Sequence, residues 1–196
     1  MKTTVKLIVF LALLMVVICS AVEAQSLKLN PKFNLTISGT TNVHDYETKV
    51  TQMNGEIVLN GTNQVKGMIV NIPVKSIKSK EKLMDTKTYE AFNAEKYPII
   101  TFKMTELNSL QLNGTDVNVA VSGNLTINGT TKKVTLKSNG KVLKSGSYQF
   151  KGALALKMTD FNMKPPTAMM GMMKVGDGIT LKYDVIFEGQ DLTMNN

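Results

Sequence analysis

Arginine is missing from this chain: all 23 basic residues are lysine. The net charge of +8 and the sequence pI of about 9.5 invite a nucleic-acid reading. Paired contacts to phosphates and guanine edges are mostly the work of arginine's planar fork, and tryptophan, a base-stacking platform, is absent as well. The lysines are dispersed and fall mostly opposite apolar residues, which describes a solvated basic surface with at most a weak attraction to anionic lipid head groups. No nucleic-acid partner is expected. Catalytic side chains are equally scarce. His44 is the sole histidine, beside Asp45, and no Gly-x-Ser-x-Gly stretch or phosphate-cradling glycine loop accompanies it, so a turn or surface role is expected and no catalytic residue is assigned. Cys19 is the sole cysteine.

The one long apolar run lies at the start. Lys2 and Lys6 precede an apolar stretch from Leu7 to Ile18, too short to span a bilayer comfortably, and Val22-Glu23-Ala24 supplies small residues where a signal peptidase reads. Residues 1–24 are expected to be a cleaved signal peptide, which places the protein in the periplasm or outside the cell with no transmembrane segment left. Lipidation at Cys19 fits less well, because Ile18 occupies a position where a small residue is usual. Cleavage removes the only cysteine, and with it disulfides, thiol catalysis and cysteine-ligated metals. Residues 25–196 suffice for one domain with a real core, and no Pro/Ser-rich linker divides them.

What remains is dominated by a period of two. In Val117–Lys137 the apolar residues Val119, Val121, Leu125 and Ile127 alternate with polar ones up to Asn128-Gly129, after which Val134 and Leu136 resume the pattern. That is an antiparallel hairpin with one apolar face, turned by a dipeptide that tolerates positive backbone angles. Similar runs cover Phe33–Ile37, His44–Leu59, Val65–Pro73, Ile100–Met104, Phe150–Met158 and Leu181–Phe187, giving about eight strands. Asn54-Gly55 and Asn139-Gly140 are expected to be bulges within long strands. Five Asn-x-Ser/Thr sequons, at Asn34, Asn60, Asn113, Asn124 and Asn128, are read as turn chemistry rather than glycosylation. Ser79–Lys96 breaks the pattern: Leu83, Met84, Lys87, Thr88, Ala91 and Phe92 recur at three and four, predicting a short helix between strands three and four that acts as a lid or plug. Asp85 offers a second start, capping a shorter helix beginning after it, and Tyr97-Pro98 ends the segment.

Eight antiparallel strands can form a sandwich or a closed barrel, and closure removes the exposed edges. The inward candidates Val119, Val121, Ile127, Val134, Ala153 or Leu154, and Val185 are medium-sized aliphatics, which leaves room for a cavity. Lys96-Tyr97-Pro98 with Ile100-Thr101-Phe102, followed by Gly123 through Leu136 (GNLTINGTTKKVTL), resembles the two signature stretches of the YceI-like family. Supporting likenesses lie at Ser38-Gly39-Thr40 through His44, Ser76-Ile77, Asp160-Phe161 and Val175-Gly176-Asp177. The resemblance implies an all-β, eight-stranded antiparallel, lipocalin-like barrel that holds a polyisoprenoid lipid in an elongated apolar tunnel. The chain departs from the family in its helix segment, where an arginine and a histidine common among members are not present, so no head-group role carries over from them.

The expectation is therefore an exported, non-enzymatic lipid-binding protein whose barrel takes up a quinone or polyprenyl chain for transport, storage or stress protection. It carries no cofactor besides the possible bound isoprenoid, and a homodimer is possible. The expected lining is Ile100, Phe102, Val119, Val121, Leu125, Ile127, Leu154, Leu156, Phe161, Met169 and Met172, with Lys87 or Tyr89 meeting a polar head. Two alternatives stand beside it. One is a packed stress-response or structural barrel without ligand. The other rests on Met158–Met173, where six methionines surround Pro165-Pro166: thioethers are soft ligands suited to Cu(I). Methionine is also a flexible apolar filler, and a mobile loop at a barrel mouth is the favoured reading, with no metal site assigned.

Overall fold

The computed structural model describes residues 25–60, 64–143 and 146–189; the expected signal peptide, residues 1–24, lies outside the described residues. The strands are β1 (Ser26–Leu29), β2 (Asn34–Thr41), β3 (Tyr46–Val50), β4 (Asn54–Leu59), β5 (Val65–Pro73), β6 (Ile77–Lys78), β7 (Ile99–Asn113), β8 (Asp116–Ile127), β9 (Thr130–Val142), β10 (Tyr148–Lys157), β11 (Thr167–Ala168) and β12 (Met173–Gly189). Among the described residues one α-helix, α1 (Lys82–Ala91), lies between β6 and β7.

These segments make eight staves. β1 and β2 are one stave bent at Asn30-Pro31, where the Asn30 side chain accepts a hydrogen bond from the Lys32 amide at 2.7 Å and proline can donate none. β3 and β4 form the second stave. β5 and β6, joined by a 3-10 turn at Val74–Ser76, form the third. The long strands β7, β8, β9, β10 and β12 complete the set, each antiparallel to its neighbour. The ring closes because β12 is long enough to serve both halves of the first stave: it pairs with β2 between Val175 and Asp184 and with β1 from Phe187 to Gly189. The result is the expected closed, eight-stranded antiparallel barrel with a helix inserted between the third and fourth staves.

Local details depart from expectation. β1 precedes the first anticipated strand, its four residues being too few to establish a period. Asn54-Gly55 and Asn139-Gly140 are not bulges; both lie in unbroken register. Gly140 instead gives space to an inward aromatic ring: a Cβ there would come within 2.8 Å of the Phe150 side chain. Register shifts occur instead in β7, between Met104 and Glu106 and between Leu107 and Ser109, opposite Val58 and Leu59 in β5, and between Val175 and Ile179 in β12. Asn128 and Gly129, with φ of 48° and 71°, make the tight turn expected of them.

The helix is shorter than the periodic segment. It starts at Lys82 after Glu81, so Asp85 lies inside the first turn rather than capping a later helix, and its Oδ1 accepts bonds from the Ser79 amide at 2.6 Å and the Ser79 hydroxyl at 2.8 Å. It ends at Ala91, well before Tyr97-Pro98, because Asn93 turns into the left-handed region at φ 50°. No residue of the helix itself is buried; Phe92 and Ala94, just beyond it, enter the core.

Candidate functional site: an apolar tunnel through the barrel

Turns connect the staves at two ends. At the helix end lie Asn128-Gly129, α1 and the segment from Met158 to Met172; at the other lie the end of β4, the start of β5, the Gly114-Thr115 turn, the end of β9 and the start of β10. The largest side chains concentrate toward these ends. Phe92, Ala94, Val74, Ile77, Phe161 and Met163 are all buried at the helix end. At the opposite end Leu27, Leu59 and Phe187 are buried, and the Phe150 and Phe187 rings meet edge to face with centroids 6.3 Å apart. Between them runs a cavity of about 210 Å³, lined from Val65, Leu110 and Phe187 to Ile77, Phe92 and Ile127. Only Ser138 and Tyr183 among the lining residues carry a side-chain oxygen.

The middle of the tunnel is built by cross-strand pairs of medium-sized residues: Val121 faces Leu136 across β8 and β9, and Leu154 faces Leu181 across β10 and β12. Leu136, Leu154 and Leu181 point inward yet are only half-buried. That combination marks an interior whose side chains do not reach one another, since a filled core buries such residues completely. Methionines Met53, Met68 and Met104 also line the space, giving part of the wall unbranched, adaptable side chains.

The two polar atoms are occupied. Tyr183 reaches from β12 across β10 to β9, its hydroxyl 2.7 Å from the Ser138 hydroxyl and donating to the Lys137 carbonyl at 3.2 Å. The crossing is possible because position 152 is glycine: a Cβ there would lie 2.2 Å from the Tyr183 oxygen. The bond falls where β9 and β10 part, for their ladder runs only from Val142 with Tyr148 to Ser138 with Gly152. Below that point the 3-10 turn Met158–Phe161 enters with Met158 and Phe161 buried. It is tied down by Asn128, whose side-chain amide donates to the carbonyls of Phe161 at 3.2 Å and Asn162 at 3.1 Å. Asp177 holds the same turn, its carboxylate accepting from the Thr159 amide at 2.9 Å and the Thr159 hydroxyl at 2.7 Å. Those bonds keep its carboxyl below the usual aspartate range.

Of the residues expected to line the tunnel, Ile100, Phe102, Val119, Val121, Leu125, Ile127 and Leu154 do so. Leu156 and Phe161 are not among the tunnel lining; they pack with the core at the β9–β10 parting and border a cleft there with Lys132, Lys133, Lys157 and Asp160. Met172 is 69% exposed, and the Met169 side chain lies outside the described residues. Lys87 pairs with Glu90 at 2.7 Å, and the Tyr89 hydroxyl donates to backbone carbonyls at Lys75 and Ile77; neither residue is among the lining. Sequence reading missed the wall on the first three staves and on β12, among them Leu35, Ile37, Val50, Val70, Ile72 and Leu181, and the methionines. Val70 and Ile72 were recoverable from their alternation within Val65–Pro73.

The remaining motifs resolve without a cluster. His44 is exposed in a turn where its amide donates to the Thr41 hydroxyl at 3.0 Å. The methionines divide: Met158 and Met163 are buried in the core, and Met170 is fully exposed. Among the described residues no group of three or more His, Cys, Asp or Glu side chains is placed to hold a metal ion, and no helix is long and apolar enough to cross a membrane.

A closed eight-stranded barrel around an apolar tunnel defines a lipocalin-type fold. The chain belongs to the YceI-like family, whose domain matches residues 22–187. A UPF0312 protein of Pseudomonas paraeruginosa is 39% identical over 79 residues, a stretch covering 37% of this chain and 38% of that relative, so the chain spans well under half the length of the curated relatives it matches. Among solved structures, a polyisoprenoid binding domain from Saccharophagus degradans implicated in plant cell wall breakdown superimposes with a TM-score of 0.68 at 12% identity, covering 85% of this chain and 99% of that one. BcnA of Burkholderia cenocepacia gives 0.62 at 21% identity, covering 79% and 96%.

Proposed function

We propose that this protein is an exported carrier or sequestering protein that holds a long isoprenoid chain, a quinone or polyprenyl lipid, in its barrel. The observation that carries the reading is the tunnel itself: long, walled almost wholly by apolar side chains and left unfilled where Val121, Leu136, Leu154 and Leu181 face one another. The solved polyisoprenoid binding domain with the same fold supports it. A volume of about 210 Å³ exceeds the roughly 150 Å³ void that accepts benzene and falls short of the roughly 300 Å³ at which drug-sized pockets begin. A long chain therefore enters by repacking the wall, which Met53, Met68 and Met104 are suited to allow. Each buried methylene contributes about 0.8 kcal/mol, so the tail supplies firm binding without a polar contact.

Native mass spectrometry and lipid extraction of the protein purified from its own producing cells test this directly. The expected result is a stoichiometric isoprenoid, or uptake of added ubiquinone by protein stripped of lipid. A lipid-free barrel that also refuses added quinone would return the protein to the packed, ligand-free alternative.

A further inference from the structure

The plugs at both ends of the barrel leave the question of how a chain reaches the tunnel. The ladder between β5 and β7 runs only from Pro73 with Ile99 to Ile69 with Lys103. Beyond it, Val65–Met68 on β5 and Met104–Asn113 on β7 have no partner across the barrel wall among the described residues, although each remains paired on its other side, with β4 and β8 respectively. The cause lies in β7: two bulges within six residues, at Met104/Glu106 and Leu107/Ser109, bend the strand away. A further register shift opposite Val58 and Leu59 displaces the start of β5.

The side chains along this split belong to the tunnel. Val65, Met68, Met104, Leu107 and Leu110 all line it, and Leu110 is 46% exposed, so one residue faces the cavity and solvent together. Leu112, farther along β7, is 63% exposed and continues the apolar surface outward. The second parting, between β9 and β10, is different: Phe161, 2% exposed, and Met158, 5% exposed, fill it, and hydrogen bonds from Asn128 and to Asp177 fasten their turn. Of the two partings, one is plugged and pinned, and at the other no element among the described residues covers the apolar side chains.

We infer that the parting between β5 and β7 is the lateral mouth through which an apolar chain threads into and out of the tunnel, with Met68, Met104 and Leu107 as its yielding rim. The inference rests on the reading of the tunnel as a lipid site, but not on the identity of the lipid. A mouth controls rates: closing it slows uptake and release alike and leaves the equilibrium unchanged, because the bound state is the same.

The test uses chain lacking residues 1–24, which contains no native cysteine. Lys66→Cys with Glu106→Cys places thiols on the two sides of the mouth, and Lys133→Cys with Lys157→Cys places them across the plugged parting. Each pair is bridged with a short bis-maleimide, bridging is verified by mass, and the rates of uptake and release of cis-parinaric acid, which fluoresces in apolar cavities, are followed by stopped flow. The expected result is that the first bridge slows both rates by about tenfold or more at unchanged stoichiometry and Kd, while the second bridge changes neither. Unchanged rates in the first bridged protein, or slowing by the second bridge alone, overturn the lateral mouth and leave the tunnel reading standing. Failure of the unbridged, lipid-free protein to take up either cis-parinaric acid or added ubiquinone overturns both.

Discussion

Blocking the tunnel at its waist separates a container from a packed barrel. Leu154 is the position of choice, because it faces Leu181 in register, lines the cavity and is only half-buried. In Leu154→Trp the indole projects into space that no side chain occupies. Overpacking a filled core costs about 1–3 kcal/mol, whereas the open waist gives the ring room, so the loss of stability stays within about 1 kcal/mol, or about 2–4 °C in Tm for a domain of this size. Binding suffers far more. Denying the chain a single isoprenoid unit, roughly five carbons, removes about 4 kcal/mol of burial, or about a thousandfold in Kd. Isothermal titration with a long polyprenol, alongside thermal melts of the same samples, reads both quantities. A chain short enough to lie on one side of the block retains its affinity. The reasoning is refuted by a Kd for the long chain within about threefold of wild type, or by a stability loss as large as a filled core would suffer.

Two further substitutions address the frame around the tunnel. Gly152→Ala drives Tyr183 from its crossing, since the new Cβ would sit 2.2 Å from the hydroxyl, and costs about 2 kcal/mol or more in urea unfolding; with Tyr183→Phe the combined loss is less than additive, and full additivity would contradict the coupling. Asp177 contributes stability that is present at neutral pH, because its folded carboxyl is held below the usual range, and that is lost as pH falls below about 4 and the carboxylate protonates. In Asp177→Asn the urea midpoint should therefore be lower than wild type at neutral pH and converge on it in acid; parallel pH profiles would show that the bonds to Thr159 do not stabilise the fold.

The barrel was legible in the sequence because its inward residues alternate over long runs and its sharpest turn is Asn-Gly, both local signals. The tunnel wall on β7, β8 and β10 was legible for the same reason: Ile100, Phe102, Val119, Val121, Leu125, Ile127 and Leu154 are the apolar members of period-two runs. Leu156 and Phe161 pack with the core yet off the tunnel lining, because alternation says which side a residue faces but not where its neighbour strand stops. β10 outlasts its ladder with β9, so Leu156, though it shares Leu154's face, meets the outer cleft. The methionine-rich segment misled in a related way. Composition treats its residues alike, whereas the chain's path buries Met158 and Met163 and leaves Met170 and Met172 outside. The bulges of β7 carry no Gly or Asn-Gly signal at all, and only pairing with β8 reveals them.

The side-chain sizes explain why an eight-stranded barrel, which closes just tightly enough to be filled, keeps a tunnel. Of the six phenylalanines beyond residue 24, Phe92 and Phe161 plug the helix end and Phe150 and Phe187 the other. Phe102 lies against Gly123, where a Cβ would come within 2.5 Å of the ring, so this aromatic is drawn toward the wall by the one residue that yields to it. The waist is left to Val121, Leu136, Leu154 and Leu181, aliphatic side chains paired along the wall with neighbours on adjacent strands, three of them only half-buried. Stability and capacity are thus divided along one axis, with the close packing at the ends and the void between them. Enlarging a buried end residue off the tunnel wall, such as Val74 or Leu59, should strain the fold without affecting capacity, and enlarging a waist residue should do the reverse.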